Sequence, residues 1–328
     1  MIAWYAHHQG AGHITRASTV GALVRDDVVI LSSGTRPATW PEQHWVQLPP
    51  DDAPGGVDPT AGGALHWAPL GQDGYRERMQ AIAEWTRVHR PSLLVSDVSA
   101  EVALLARLLG LPVAVTVMAG DRSDRAHRAT YDLASALIAP WPREAGALVD
   151  GWRPDWDAKA TFVGAFSRFD ARPTRPAPGG RHVTVLWGSG GSGAARAGLD
   201  DARAATPGWT WTVCGGSSSR ESVWQHLQSA DVVVTHGGQN AIAEVAAARR
   251  PAIVIPEPRP HDEQVHLARG LARLGLGHPQ PTWPAAGDWP DLLTTAASGD
   301  PARWSQWADG SGASRYAARL DAVARSQR

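Results

Sequence analysis

Two separated stretches hold the residue types that can do chemistry, and each follows a short apolar run. The first is His7-His8-Gln9-Gly10-Ala11-Gly12-His13-Ile14-Thr15-Arg16, directly after Ile2-Ala3-Trp4-Tyr5-Ala6. Gly10 and Gly12 permit a tight strand-to-helix turn, which puts His13 on the first turn of a helix. Histidine changes protonation near working pH and can take the proton of an attacking hydroxyl. Such a base gains from a carboxylate that orients it and stabilises its charged form. Asp97 qualifies, because it terminates the run Ser92-Leu93-Leu94-Val95-Ser96 and so stands at a strand end as well. A turn histidine is also often only a cap. Arg16 fits either a phosphate contact or a surface ion pair, and His7 and His8 are lesser candidates for the base.

The second stretch is Asp231-Val232-Val233-Val234-Thr235-His236-Gly237-Gly238-Gln239-Asn240-Ala241-Ile242-Ala243-Glu244. A strand ending at Thr235, a two-glycine turn and a helix starting near Gln239 leave free backbone N–H groups at the positive end of the helix dipole. Glycine lets an anion approach them closely. His236 and Asn240 add side-chain donors. Glu244, four residues beyond Asn240 and on the same face, can accept both hydroxyls of a ribose; the plain alternative is a turn and a surface glutamate. Downstream, Glu263-Gln264 sets a carboxylate beside an amide. That pair suits the hydroxyls of a hexose, and it equally suits an acid-rich helix start.

The elements that must position these residues follow an alternating pattern. Apolar runs at Val28–Leu31, Trp45–Leu48, Leu93–Val95, Val113–Val117, Val183–Leu186, Val232–Val234 and Ile253–Ile255 read as strands. Tyr75–Val88, Ala100–Leu109 and Ala241–Ala248 have helical period between them. Strand and helix in alternation predict an α/β fold with parallel sheets covered on both faces. The pattern breaks at Arg172-Pro173-Thr174-Arg175-Pro176-Ala177-Pro178-Gly179-Gly180, a Pro/Gly-rich stretch that cannot join a core and reads as a linker. The irregular segment Pro49–Gly74 reads as a binding loop or lid, or as a disordered one. Ala313–Ser326 reads as an amphipathic helix with Tyr316, Leu320 and Val323 on one face. Ligands of such sheets bind at the carboxyl ends of the strands, where both chemical stretches lie.

His236-Gly-Gly-Gln-Asn240-Ala-Ile-Ala-Glu244, with Glu263-Gln264 downstream, resembles the donor signature of inverting glycosyltransferases of the two-domain GT-B fold. These include the plant and antibiotic UDP-sugar transferases and the GlcNAc transferase of the peptidoglycan lipid intermediate. The resemblance covers the second half well and the first half loosely. It implies two Rossmann-like domains facing across a cleft: residues 1–168 for the acceptor, a linker over 169–181, and 182–310 for the nucleotide-sugar donor. A terminal helix over 311–328 would pack back toward the first domain. It also implies that His236, Gly237, Gly238, Gln239 and Asn240 bind the diphosphate, Glu244 the ribose, and Glu263 with Gln264 the sugar of a UDP- or dTDP-hexose. The Gly188-Ser189-Gly190 loop would pack against the phosphates. His13 would be the base, with Asp97 its partner. Ala241 departs from the plant pattern, which has serine there. The aromatic that stacks on the base has no clear counterpart, and Arg220 and Trp224 lie in that region.

Other readings are weaker. Gly188-Ser189-Gly190-Gly191-Ser192-Gly193 also fits the dinucleotide fingerprint, but no acid follows Val213 at the end of the next strand, as an NAD site requires. Gly34-Thr35-Arg36-Pro37 is similar to a motif of the non-hydrolysing nucleotide-sugar epimerases, yet it follows the second strand where that family has it after the first. A non-catalytic nucleotide-sugar binding protein is a further alternative, against which the presence of both His13 and Asp97 argues.

At 328 residues the chain suits two domains, and 43% hydrophobic with 19% charged residues is an ordinary globular composition. The net charge of −1 provides no field for nucleic acid. The single cysteine, Cys214, excludes an internal disulfide. No metal site is expected, because the 13 histidines form no H-x-x-x-H pair with a nearby acid, and Asp51-Asp52 read as loop charge. No cofactor is expected beyond the nucleotide sugar itself. With no membrane-length apolar run and no leader-like start, the expected location is the cytoplasm, with peripheral membrane contact left open. The acceptor is unassigned, although His66 and Trp67 in the irregular segment are candidates to line its site.

Overall fold

Short runs of Val, Ile, Leu and Ala form strands that are buried on both faces when helices cover both sides of a parallel sheet. The computed structural model describes residues 1–10, 12–52, 55–146, 148–187, 194–215 and 218–326, and its two main sheets are of this kind. The first contains β1 (Ile2–Ala6), β2 (Val28–Ser32), β3 (Trp45–Gln47), β4 (Leu93–Asp97), β5 (Val113–Thr116), β7 (Ala136–Ala139) and β9 (Ala160–Phe162). The order is β3-β2-β1-β4-β5-β7-β9, with every pairing parallel. A two-stranded ribbon, β6 (Gly120–Asp121) with β8 (Val149–Asp150), stands beside it. The second sheet, again parallel, contains β10 (His182–Leu186), β11 (Thr210–Cys214), β12 (Val232–Thr235), β13 (Ala252–Val254) and β14 (His278–Pro279), in the order β11-β10-β12-β13-β14.

The connecting helices are α1 (Gly12–Gly21), α2 (Asp73–His89), α3 (Ala100–Leu108) and α4 (Arg125–Leu133) in the first half. In the second they are α5 (Ala194–Ala205), α6 (Arg220–Ser229), α7 (Gln239–Ala248), α8 (Glu263–Arg273) and α9 (Trp289–Ala297), and α10 (Gly312–Arg325) closes the chain. Strand order reverses between β1 and β4 in one sheet and between β10 and β12 in the other. A reversal opens a crevice at the carboxyl ends of the strands on either side of it. The ends of β1, β4 and β12 therefore open onto these crevices, where His13 at the start of α1, Asp97 at the end of β4 and His236 after β12 stand.

Helix α10 packs on the first sheet, not the second. Tyr316, Leu320 and Val323 are buried in one cluster with Ile14, Ala17 and Val20 of α1 and Trp4 of β1. Each such side chain stabilises by roughly 1.5–3 kcal/mol on full burial. Trp4 and Tyr316 rings meet at 5.4 Å, and the Tyr316 hydroxyl hydrogen-bonds Thr116 Oγ1 at 2.6 Å. The Pro/Gly-rich stretch contributes nothing to a core but is held by its backbone. Buried Arg250 donates to the carbonyls of Arg175, Leu227 and Gln228, while Asp231 accepts from the N–H groups of Gly179 and His182. The chain has 16 tryptophans against 3 phenylalanines. Trp4, Trp141, Trp156, Trp289 and Trp307 are among the largest fully buried side chains, so tryptophan is the main aromatic core filler here. Among the described residues, no helix is long and apolar enough to cross a membrane.

Candidate functional site

The first wall of the site follows from strand register. β1 and β4 are neighbours with Ala6 opposite Asp97, so the start of α1 lies beside the end of β4. His13 and Arg16, three residues apart on one face of α1, both reach the same carboxylate oxygen. His13 Nδ1 donates to Asp97 Oδ1 at 3.1 Å and Arg16 Nη1 donates to it at 2.8 Å. Asp97 is fully buried. Burial pushes its carboxyl up, but the Arg16 guanidinium and His13 together outweigh that and hold it below the usual aspartate range. With Nδ1 as the donor, His13 keeps Nε2 as the ring nitrogen with a lone pair. Of the alternatives left by the sequence, Arg16 is in an ion pair, buried rather than at the surface. His7, whose Nδ1 accepts from the Gln9 N–H, is pushed down to about 4, chiefly by burial with help from His13 and His8.

The second wall starts at the end of β12. Gly238 caps α7 with no side-chain capping bond, and its own N–H donates to His236 Nδ1 at 2.9 Å. His236 therefore carries its proton on Nε2, and burial keeps the ring in its neutral form. A Cβ on Gly238 would lie 2.3 Å from His236 Cε1, and one on Gly237 would lie 2.8 Å from the Gln264 carbonyl oxygen. Both glycines are demanded by close approach. The two walls also touch. Arg16 Nη2 donates to Gln239 Oε1 at 2.9 Å, Gln239 Nε2 donates to the Pro140 carbonyl at 3.3 Å, and a Cβ on Gly12 would meet Asn240 Nδ2 at 2.7 Å. The side chain of Gln239 is thus engaged in joining the halves.

Between the walls lies a cleft of about 870 Å³. His13, His236, Gly238, Gln239, Asn240 and Glu244 line it, as do Glu263, Gln264 and His66. Glu244 is not free: Arg168 Nε pairs with its Oε1 at 2.9 Å. Burial pushes the Glu244 carboxyl up, against the pull of Arg168 and Arg220. Gln264 is nearly buried, and its Oε1 accepts the Glu257 N–H at 2.9 Å. Gly188, Ser189 and Gly190 lie outside the described residues.

Two expectations need correction. Trp224 is no platform for a base: it is buried on α6 in the core and packs on Phe169 at 5.1 Å, because its face of the helix turns to the sheet. Arg220 sits over Phe169 and donates to the Arg168 carbonyl. Asp51 is not loose loop charge but a nearly buried partner of Arg78 at 2.6 Å. The absence of metal-ligand spacing along the chain did not prevent a cluster of histidines and an acid from assembling in space. His66, Asp124, His127 and His261 bring ligand atoms within 4.8 Å of one another.

Trp67 and His66 border a further cavity of about 370 Å³, with Tyr5, His8, Tyr75 and Glu101. Trp67 Nε1 is held by the Asp51 carbonyl at 2.8 Å, and Glu101 accepts the backbone N–H groups of both His66 and Trp67. His7, Gln9, His66, Val98 and Ser99 line both cavities, so the smaller opens beside His13. Arg168, Arg122 and Glu101 were not legible as site residues. Each sits in a local pattern that is ordinary for a surface helix or a linker.

Residues 220–278 match the glycosyltransferase family 28 C-terminal domain. A segment of 64 residues is 42% identical to UDP-N-acetylglucosamine–N-acetylmuramyl-(pentapeptide) pyrophosphoryl-undecaprenol N-acetylglucosamine transferase of Rubrobacter xylanophilus. That segment spans only 18% of this chain and 19% of that relative. Similarity of shape extends much further. The glycotransferase of kitacinnamycin superposes with a TM-score of 0.66 at 17% identity, over 98% of both chains. MurG of Acinetobacter baumannii gives 0.62 at 15% identity, over 98% of this chain and 97% of the other. UGT2 of Phytolacca americana, complexed with UDP-2-fluoroglucose and pterostilbene, gives 0.63 at 13% identity, over 98% and 95%. The chain has the GT-B glycosyltransferase fold. In this GT-B chain the family 28 match begins at α6 and ends at β14. It therefore contains the α7 terminus and the Glu263-Gln264 pair, while His13 and Asp97 lie outside it.

Proposed function

We propose that this protein is an inverting glycosyltransferase that moves a hexose from a UDP- or dTDP-sugar to an acceptor hydroxyl. One observation carries the reading. A buried carboxylate–histidine pair and an uncapped helix terminus, built by two different sheets, face one cleft. His13 Nε2 takes the acceptor's proton as the acceptor oxygen attacks the anomeric carbon. The bond from that carbon to the phosphate oxygen breaks, and the diphosphate leaves with the electron pair. Its charge falls to the first N–H groups of α7, the Asn240 amide and the neutral His236 Nε2–H. No metal or cofactor enters this scheme at the diphosphate. The Rubrobacter xylanophilus relative is named for UDP-N-acetylglucosamine and the Phytolacca americana UGT2 is complexed with UDP-2-fluoroglucose, which supports a uridine nucleotide.

Incubation with a panel of nucleotide sugars tests the reading. Slow release of nucleoside diphosphate from a UDP- or dTDP-hexose is the expected result. Interconversion of UDP-N-acetylglucosamine with its epimer, without any acceptor, would replace the reading by an epimerase.

In the proposed complex Arg168 keeps Glu244 Oε1 and the other oxygen accepts from the ribose. Glu244→Ala should then weaken nucleotide binding by about 1.5–3 kcal/mol, the worth of hydrogen bonds to a charged group. Calorimetry that finds unchanged affinity in the folded variant would remove the ribose assignment.

A further inference from the structure

We propose that His66, Asp124 and His261 bind one divalent transition-metal ion of the zinc class in the wall of the cleft, with His127 as the residue that fixes Asp124. The ligands come from three distant segments: the irregular stretch 49–74, the start of α4, and the loop between β13 and α8. His66 and Asp124 belong to the first half of the chain and His261 to the second, so the ion ties the two halves together. The site is separate from the diphosphate end, since none of its residues is proposed to hold phosphate.

The distances suit such an ion. His66 Nε2 and Asp124 Oδ1 are 3.1 Å apart. Two bonds of about 2.0–2.1 Å at a tetrahedral angle separate their ligand atoms by roughly 3.3 Å. The His261 ring centroid stands 5.9 Å from that of His66 and 4.9 Å from that of His127. An imidazole–imidazole–carboxylate set is one that zinc and its neighbours accept, and three protein ligands leave a fourth position for water or an incoming hydroxyl.

His127 is excluded from the ligand set by its own hydrogen bonds. Arg122 Nη1 donates to its Nε2 at 3.1 Å, so the proton stands on Nδ1, which donates to Asp124 Oδ2 at 2.5 Å. Arg122 is buried and anchored on the Ala119 carbonyl at 2.7 Å. The chain Arg122–His127–Asp124 thus immobilises Oδ2, while Oδ1 accepts the His127 backbone N–H at 2.9 Å as the cap of α4 and turns its other lone pair to His66 and the ion, the usual outer-shell arrangement of a carboxylate ligand. The ion takes the place of the proton now shared between His66 Nε2 and Asp124 Oδ1.

A second, independent observation lies in the backbone. His261 (φ 62°) and Asp262 (φ 54°) are consecutive non-glycine residues in the left-handed region. Such strain costs about 1–3 kcal/mol per residue and gathers at ligand clamps. Gly120, itself at φ 117°, makes room for it, since a Cβ there would lie 2.2 Å from the His261 carbonyl oxygen. The strained turn brings His261 against His66 and His127.

The test is titration of Zn²⁺ and Co²⁺ into EDTA-stripped full-length protein, followed by calorimetry and by the visible absorption of bound cobalt. One equivalent should bind. His66→Ala and His261→Ala should each abolish the cobalt spectrum. His127→Ala should weaken binding about 10–100-fold, as loss of an outer-shell partner does. Asp124→Asn, which keeps an oxygen to cap α4, should also lower affinity, and His89→Ala should change nothing. Circular dichroism confirms that each variant is folded. Failure of the wild type to bind an equivalent of either metal would overturn the proposal, as would unchanged affinity in both His66→Ala and His261→Ala. The assay contains no nucleotide and no acceptor, so its outcome is independent of the transferase reading.

Discussion

Replacing His13 with alanine is expected to cut turnover by about 10²–10⁴-fold, the usual contribution of a positioned acid–base group. Donor affinity should stay nearly intact. The proton transfer assigned to His13 matters only while the acceptor attacks, and the proposed nucleotide site is on the other wall. Asp97→Asn should cost less, because the amide keeps an oxygen toward His13 and Arg16 while losing the charge that compensates the imidazolium. The double variant should be little worse than His13→Ala alone, since residues that act as one unit do not add. The measurements are kcat and KM for the four proteins. Near-normal turnover of His13→Ala would move the base elsewhere, with His8 next in line. Additive losses would mean that Asp97 works on its own, by holding the acceptor.

Replacing Arg16 with methionine is expected to destabilise the fold by about 3–5 kcal/mol at neutral pH, measured by denaturant unfolding. Methionine keeps most of the apolar stem, so the loss reports charge. Asp97 is fully buried, and without Arg16 only His13 opposes the cost of its burial. The sign with pH follows from the depressed carboxyl of the wild type. Its contribution is fully present above the ordinary aspartate value of about 4 and is lost as pH falls through the lower folded value. In Arg16→Met the burial, opposed only by His13, raises the Asp97 carboxyl, which then takes a proton more readily. The gap between variant and wild type should therefore narrow as pH falls. A deficit under about 1 kcal/mol at neutral pH, the size of an ordinary substitution, would show that the pair contributes little.

Periodicity along the chain was enough for the α/β class, the alternation of strand and helix, and the apolar face of α10. These are local consequences of the pattern of large apolar residues, and Tyr316, Leu320 and Val323 are buried as that pattern requires. The turn after β12 was legible too, because Gly237 and Gly238 stand where only glycine escapes a clash with Gln264 and His236. His13 was legible at a helix start and Asp97 at a strand end, as residues facing the same crevice.

Tertiary structure alone decided who shares them. That Arg16 lies on the same carboxylate oxygen as His13, and that Gln239 receives its other nitrogen, depends on how two sheets meet. No local spacing encodes that contact. Arg168 reaches Glu244 across 76 positions of sequence, so Glu244 reads from sequence as a free ligand for ribose when it is already paired. Trp224 reads as a candidate stacking surface because composition cannot say which face of α6 turns inward. The cluster of His66, Asp124, His127 and His261 was invisible for the same reason: only Asp124 and His127 are near in sequence. A histidine becomes a metal ligand by the company that folding brings to it, and here that company arrives from both sides of the cleft.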